Sequence, residues 1–196
     1  MEIEADVLRE RENLRQQKIA ERDRVPSAFR HESSLEIVQK LKDHIEGSNF
    51  KSIHCYISFR SEVETRDFIE AEIKSGILVV VPVVEELDGK QLLIHTEISG
   101  LDNLKKGSFG LEEPVERKLP SLESLDAVIV PLTAFDRHGT RLGYGKGFYD
   151  NFLRELPRSI KRIGIAFSTQ EVEYILPLSH DEPLNTIITE REIINC

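Results

Sequence analysis

A chain of 196 residues with 39% hydrophobic and 31% charged residues carries enough apolar material for a sizeable core and is not disordered. A net charge of −9 excludes bulk nucleic-acid or anionic-membrane binding without a local basic patch, and none stands out beyond the mixed-charge N-terminus. Two cysteines, Cys55 and Cys196, fit no metal spacing or disulfide framework, and the opening Met-Glu-Ile-Glu-Ala-Asp is unlike a targeting peptide; the expectation is a cytoplasmic protein.

In chain order, residues 2–24 read as a solvated helix with a sparse apolar stripe (Val7, Leu8, Leu14, Ile19), broken at Pro26. A second helix carries Leu35, Val38, Leu41 and Ile45 on one face, with Gly47 just past its end. Residues 53–57 read as a short buried strand. Thr65 is placed to cap a helix bearing Phe68, Ile69, Glu72 and Ile73, closed by Gly76. Residues 77–84 are apolar on both faces, as in a covered central strand, and are too short and too interrupted by Pro82 to span a bilayer. Asp88-Gly89 marks a hairpin turn into a strand over 91–98. Residues 99–124 are loop-rich. Residues 126–130 form a buried strand stopped by Pro131, 148–156 a helix ended by Pro157, 162–167 a strand, and 186–189 a last strand. Strands alternating with helices predict a three-layer α/β sheet, parallel in its middle.

The most informative segment is 135–150. Gly143, Gly145 and Gly147 let the backbone bring its N–H groups close to an anion. Arg141 and Lys146 add positive charge, and Asp150 is a hard oxygen ligand suited to Mg²⁺. The pattern is neither a P-loop, since Gly147 and not a hydroxyl residue follows Lys146, nor a dinucleotide fingerprint. It reads as a polyphosphate cradle leading into a helix, at the carboxyl end of a strand. The glycines alone are equally a plain turn; the cations, Tyr149 and Asp150 together favour ATP.

The run PLTAFDRHGTRLGYGKGFYDNFL over residues 131–153 resembles the 5-formyltetrahydrofolate cyclo-ligase family, also called methenyltetrahydrofolate synthetases. Similar blocks occur in order: Tyr56-Ile57-Ser58 through Glu62-Val63-Glu64-Thr65, Phe109-Gly110-Leu111-Glu112-Glu113-Pro114, Ile163-Gly164-Ile165-Ala166-Phe167 with Gln170, and His180-Asp181. The resemblance covers nearly the whole chain. It implies one cyclo-ligase-like α/β domain over residues 1–196, a three-layer Rossmann-like sandwich with a mostly parallel central sheet. It further implies an enzyme that uses ATP and Mg²⁺ to convert 5-formyltetrahydrofolate to 5,10-methenyltetrahydrofolate. Its partners would be the folate and ATP, with no nucleic acid and no membrane, in a monomer or weak homodimer.

By the same resemblance, Lys146 and Arg141 would be catalytic. ATP would lie against Arg11, Arg15, Arg141, Leu142, Gly143, Tyr144, Gly145, Lys146, Gly147, Phe148 and Tyr149. The family carries Lys-x-x-Leu-Arg on its first helix; here Arg11-Glu12-Asn13-Leu14-Arg15 replaces the lysine by Arg11, which keeps charge but changes its shape. The folate would meet Ile57, Glu62, Tyr144 and Phe148, with the Glu62 carboxylate accepting from the pterin's N–H groups. Asp150 and Asp181 would bind Mg²⁺. Read without the family, Arg11 and Arg15 are an i,i+4 row on a solvated face and Asp181 is an ordinary loop aspartate. A divergent member acting on another substrate and a non-catalytic nucleotide-binding module are the competing functions.

Overall fold

The computed structural model describes residues 2–196. The chain begins with α1 (Glu2–Arg24), α2 (Ser27–Ser48), β1 (Ser52–Cys55) and α3 (Arg66–Lys74). There follow β2 (Leu78–Leu87), β3 (Lys90–Ile98), β4 (Leu104–Lys106), β5 (Glu112–Pro114) and β6 (Ala127–Pro131). The remainder is β7 (Ala134–Phe135), β8 (Arg141–Leu142), α4 (Phe148–Glu155), β9 (Lys161–Ile165), β10 (Thr186–Ile188) and β11 (Ile193–Asn195).

Seven strands form one sheet in the order β11-β10-β9-β6-β1-β2-β3. The inner five are parallel, while β3 and β11 run antiparallel at the two edges. Side chains alternate across this sheet. Ile53, Val79, Val81, Ile129, Ile163 and Ile165 point to one face, beneath Ile37, Leu41 and Ile45 of α2 and Phe68 and Ile69 of α3. Val80, Val128, Val130 and Ile187 point to the other, against Phe152 and Leu153 of α4. Both faces are covered, so the strands are apolar throughout. This is the expected three-layer, mostly parallel architecture.

Numbered along the chain, the five parallel strands lie in the order 2-1-3-4-5, so the winding reverses between β1 and β6. Loops leaving the carboxyl ends of two strands on either side of such a reversal separate and leave a crevice. The fold thereby locates the site.

α1 differs from the solvated helix that its charge suggests. Arg11, Arg15, Lys18 and Arg22 recur at helical spacing and so share one face. Each donates to a main-chain carbonyl elsewhere in the molecule: Leu176 at 2.7 Å, Gly143 at 2.7 Å, Thr169 at 2.9 Å and Leu132 at 3.3 Å respectively. Leu14 adds a small apolar contact with Ala134, Leu142 and Ile175. A cationic stripe, not an apolar one, fastens this helix.

Other elements depart locally from expectation. Gly47 lies inside α2, and Asn49 ends that helix in a left-handed conformation at φ 53°. Leu35 is exposed, and Ile37 takes the buried position beside Leu41. Thr65 sits at the start of α3, but its hydroxyl donates to Tyr56 O at 2.7 Å instead of capping the helix. β2 is second from the edge, not central, and beyond Val84 it leaves the core as an exposed hairpin with β3. The Asp88-Gly89 turn is where expected, with φ 52° and 73°. The loop-rich 99–124 segment holds the β4–β5 hairpin. The pairs β7–β8 and β10–β11 are too short for their sequence to announce β7, β8 or β11.

Candidate active site

A cavity of about 730 Å³ opens at the carboxyl ends of β1 and β6, lined there by Tyr56, Ile57 and Pro131. The glycine loop, 143–147, forms one wall, and Arg11 and Arg15 of α1 reach the rim. The turn containing Phe59 and Glu62 also lines the cavity, as does Phe109 from the β4–β5 connection.

The loop has the shape that its glycines require. Gly145 has φ 86° and Gly147, at the N-cap of α4, has φ 68°, both in the region that side chains disfavour. A Cβ on Gly145 would also stand 3.2 Å from Arg15 Cζ. Arg15 Nε donates to Gly143 O at 2.7 Å, so the helix clamps the loop from outside. Lys146 is exposed on the cavity wall with no carboxylate partner among the described residues; its ammonium lies 5.8 Å from the centre of the Phe109 ring.

The other cations are engaged. Arg141 is almost fully buried and ion-paired to Asp150 at 2.9 Å, with a second bond to Glu182 O. Asp150 Oδ1 also accepts from the Glu182 N–H at 3.2 Å, while Oδ2 makes no hydrogen bond among the described residues. Arg11 pairs with Asp181 at 2.8 Å, and Asp181 Oδ2 caps the Leu178 N–H at 2.8 Å. Among the described residues no three carboxylate, histidine or cysteine side chains cluster as a self-sufficient metal cage. The donor set instead fits Mg²⁺, which is held by one or two carboxylates and completes its shell with phosphate oxygens and water. Asp150 has the open oxygen for this; Asp181 is committed to Arg11.

Glu62, on the same cavity lining, is 7% exposed. Burial raises its carboxyl above the usual 4.5, opposed by the Phe59 N–H, which donates to Oε2 at 2.9 Å, and by Arg22 and Tyr144. Tyr149 lines the cavity, but its hydroxyl is buried without a hydrogen-bond partner. Ile57 and Phe148 line the cavity as expected. Leu142 differs: its side chain belongs to the small cluster under α1, so only its main chain serves the loop.

The fold therefore brings all the expected residues to one cavity. Four more residues that the sequence reading did not single out support or line it: Phe109 on the cavity wall, and Arg22, Asp136 and Glu182 behind it. Arg22 lies on the same face of α1 as Arg11 and Arg15, and that spacing was the available signal. Asp136, fully buried, accepts from the N–H groups of His138, Thr140 and Ile175 at 2.9–3.1 Å and shapes the hairpin that feeds the loop. Glu182 ties Arg158 and Arg162 at 2.7 and 2.9 Å. Phe109 adopts a left-handed φ of 60°, which no pattern predicts.

A family model described as the 5-formyltetrahydrofolate cyclo-ligase family matches residues 7–190. The chain belongs to this family. Its 5-formyltetrahydrofolate cyclo-ligase relative from Haemophilus influenzae is 34% identical over 163 residues, covering 81% of this chain and 86% of that one. The cyclo-ligase of Mus musculus is 30% identical over 169 residues, covering 80% and 82%. The solved 5,10-methenyltetrahydrofolate synthetase of Aquifex aeolicus superimposes with a TM-score of 0.82 at 27% identity, covering 94% of this chain and 92% of that one. The family match and the superposition thus each cover most of the chain.

Proposed function

We propose that the chain closes the imidazoline ring of 5-formyltetrahydrofolate at the expense of ATP, giving 5,10-methenyltetrahydrofolate, ADP and phosphate. The observation that carries this reading is one cavity lined both by a glycine loop, whose Lys146 has no carboxylate partner among the described residues, and by the buried carboxylate of Glu62. Membership of the cyclo-ligase family supplies the reaction.

The chemistry suits those groups. A formyl oxygen on N5 is a poor leaving group. Transfer of the γ-phosphoryl group to it makes it a good one, N10 then attacks the formyl carbon, and phosphate departs as the methenyl cation forms. The protein has to align two bound reactants and neutralise phosphoryl charge; it needs no covalent nucleophile. Lys146 and the loop N–H groups would meet the phosphates, with Arg15 bracing the loop. Arg141 would serve mainly by holding Asp150. Glu62 would accept from the pterin's N–H groups while Ile57, Tyr144 and Phe148 cover its rings. Mg²⁺, when bound, supplies further neutralisation of phosphate charge, and Asp150 would be its principal protein ligand. Asp181 would contribute through water or after releasing Arg11. The assignment is read for a monomer or weak homodimer, and the two free thiols suit the cytoplasm.

The test is direct. Purified protein, ATP, Mg²⁺ and 5-formyltetrahydrofolate should develop the near-ultraviolet absorbance of the methenyl product, and omission of ATP should abolish it. ATP-independent or absent product formation would refute the assignment. Titrating Mg²⁺ in the same assay tests the metal separately.

A further inference from the structure

Arg22 is 2% exposed, yet it belongs to the most polar helix in the molecule. Burying a guanidinium is costly, and an apolar residue of similar size would anchor a helix at least as well. Its three contacts explain the choice. Nε donates to Ser61 Oγ at 3.0 Å, Nη1 to Leu132 O at 3.3 Å and Nη2 to Tyr144 OH at 2.6 Å, with the guanidinium 5.8 Å from the centre of the Tyr144 ring.

Those acceptors come from three segments around the cavity. Ser61 is in the tight turn that presents Glu62, closed by the Glu62 N–H donating to Phe59 O at 3.2 Å. Leu132 follows β6, where the sheet reverses its winding. Tyr144 is in the glycine loop. Ser61 Oγ also donates to Asp23, the residue after Arg22, so the helix grips the turn twice. Only a rigid planar fork reaches three acceptors in different directions; a lysine ammonium does not.

We propose that Arg22 is a positioning residue that locks the Tyr144 corner of the glycine loop to the turn bearing Glu62, and so holds the phosphate and folate halves of the cavity at one separation. This rests on the function proposed above and extends it to a residue that touches neither reactant. In-line phosphoryl transfer between two bound molecules is sensitive to such a separation, since a misplacement of about 1 Å costs roughly a hundredfold in rate.

The experiment is a double-mutant cycle on the full-length protein: Arg22→Lys, Tyr144→Phe and the double variant. Readouts are kcat, KM for 5-formyltetrahydrofolate, binding of a non-hydrolysable ATP analogue and melting temperature. Arg22→Lys should lower kcat/KM for the folate about tenfold, the scale of one charge-assisted hydrogen bond, with analogue affinity changed less than twofold. Tyr144→Phe should act in the same direction, and the double variant should be no worse than the poorer single one. Additive losses, or activity per folded molecule unchanged while only the melting temperature drops, would overturn the role of Arg22. Should Arg22→Lys not fold, a normal folate kcat/KM in Tyr144→Phe would overturn it equally. A wild-type chain that fails to turn over refutes the function itself, and that control is read first.

Discussion

Arg11 and Asp181 lie 170 residues apart in sequence and form an ion pair of 2.8 Å that fastens the middle of α1 beside the cavity. Both side chains are about nine-tenths buried, and Arg11 also holds the Leu176 carbonyl at 2.7 Å. Removing one partner leaves the other charge desolvated. Arg11→Ala should therefore destabilise the fold by about 3 kcal/mol, the range seen when one member of a buried pair is deleted. Arg11→Lys, which restores the residue type of the resembled family motif, should cost less but more than zero, because one ammonium cannot span Leu176 O and both Asp181 oxygens. Urea unfolding midpoints at constant m-value would rank the three proteins; equal midpoints would show that the pair contributes nothing.

Lys146 offers the opposite case. It is exposed and unpaired among the described residues, so Lys146→Ala should leave the melting temperature within about a degree or two, as for an ordinary surface substitution. Its loss should lower kcat by roughly two orders of magnitude or more, the size expected for a preorganised charge that meets the transferring phosphoryl group. Calorimetry and steady-state turnover on one preparation would separate the effects. A variant with unchanged kcat would remove Lys146 from the catalytic set.

Glu62 should trade stability for function. Burial raises its carboxyl above 4.5 in the folded protein, so the folded state binds that proton more tightly than the unfolded one. Such a group stabilises the fold below its unfolded value, and that contribution is lost as pH rises through the folded one. Glu62→Gln should therefore raise thermal stability at neutral pH, with the gain shrinking on acidification towards 4.5. The same substitution should weaken folate affinity and spare nucleotide binding. Melting curves across pH, with separate folate and ATP-analogue titrations, would check both halves; an unstabilised variant with normal folate affinity would contradict both.

His54, fully buried, and His95, half-buried, lie 3.1 Å apart between ring nitrogens, with His95 stacked on Phe152 at 3.9 Å between centroids. Burial lowers both, His95 to about 4, while an unfolded imidazole titrates near 6.5. Between those values the unfolded chain binds protons that the folded chain refuses. Stability should thus fall as pH drops from 6.5 towards 4, by at most about 1.4 kcal/mol per pH unit for each histidine. His95→Gln should make this decline shallower in urea titrations at successive pH values; an identical slope would remove His95 as a cause.

The sequence carried the site further than the fold's edges. The glycines at 143, 145 and 147, Lys146 and Asp150 lie within one short stretch, so a single local pattern disclosed the loop. The apolar runs of β1, β2, β6 and β9 disclosed the layered sheet because both faces are covered. Short edge strands such as β11 have too few residues for periodicity to register. Leu35 and Ile37 stand about 200° apart round a helix, so only one of them can face the sheet; Ile37 does, in i, i+4 register with Leu41 and Ile45.

Local residue types and spacings thus determined where to look: the glycine loop with Lys146 and Asp150 is written in a few positions, while Glu62 was reached only through the family resemblance. Tertiary structure decided which cations remain available. Arg11 and Arg141 are neutralised by Asp181 and Asp150, Arg22 is spent on three loops, and Lys146 is left facing the cavity. A row of arginines has the same helical period whether it meets water or main-chain carbonyls. Partners 39 to 170 residues distant, brought in by the winding of the sheet, make the difference.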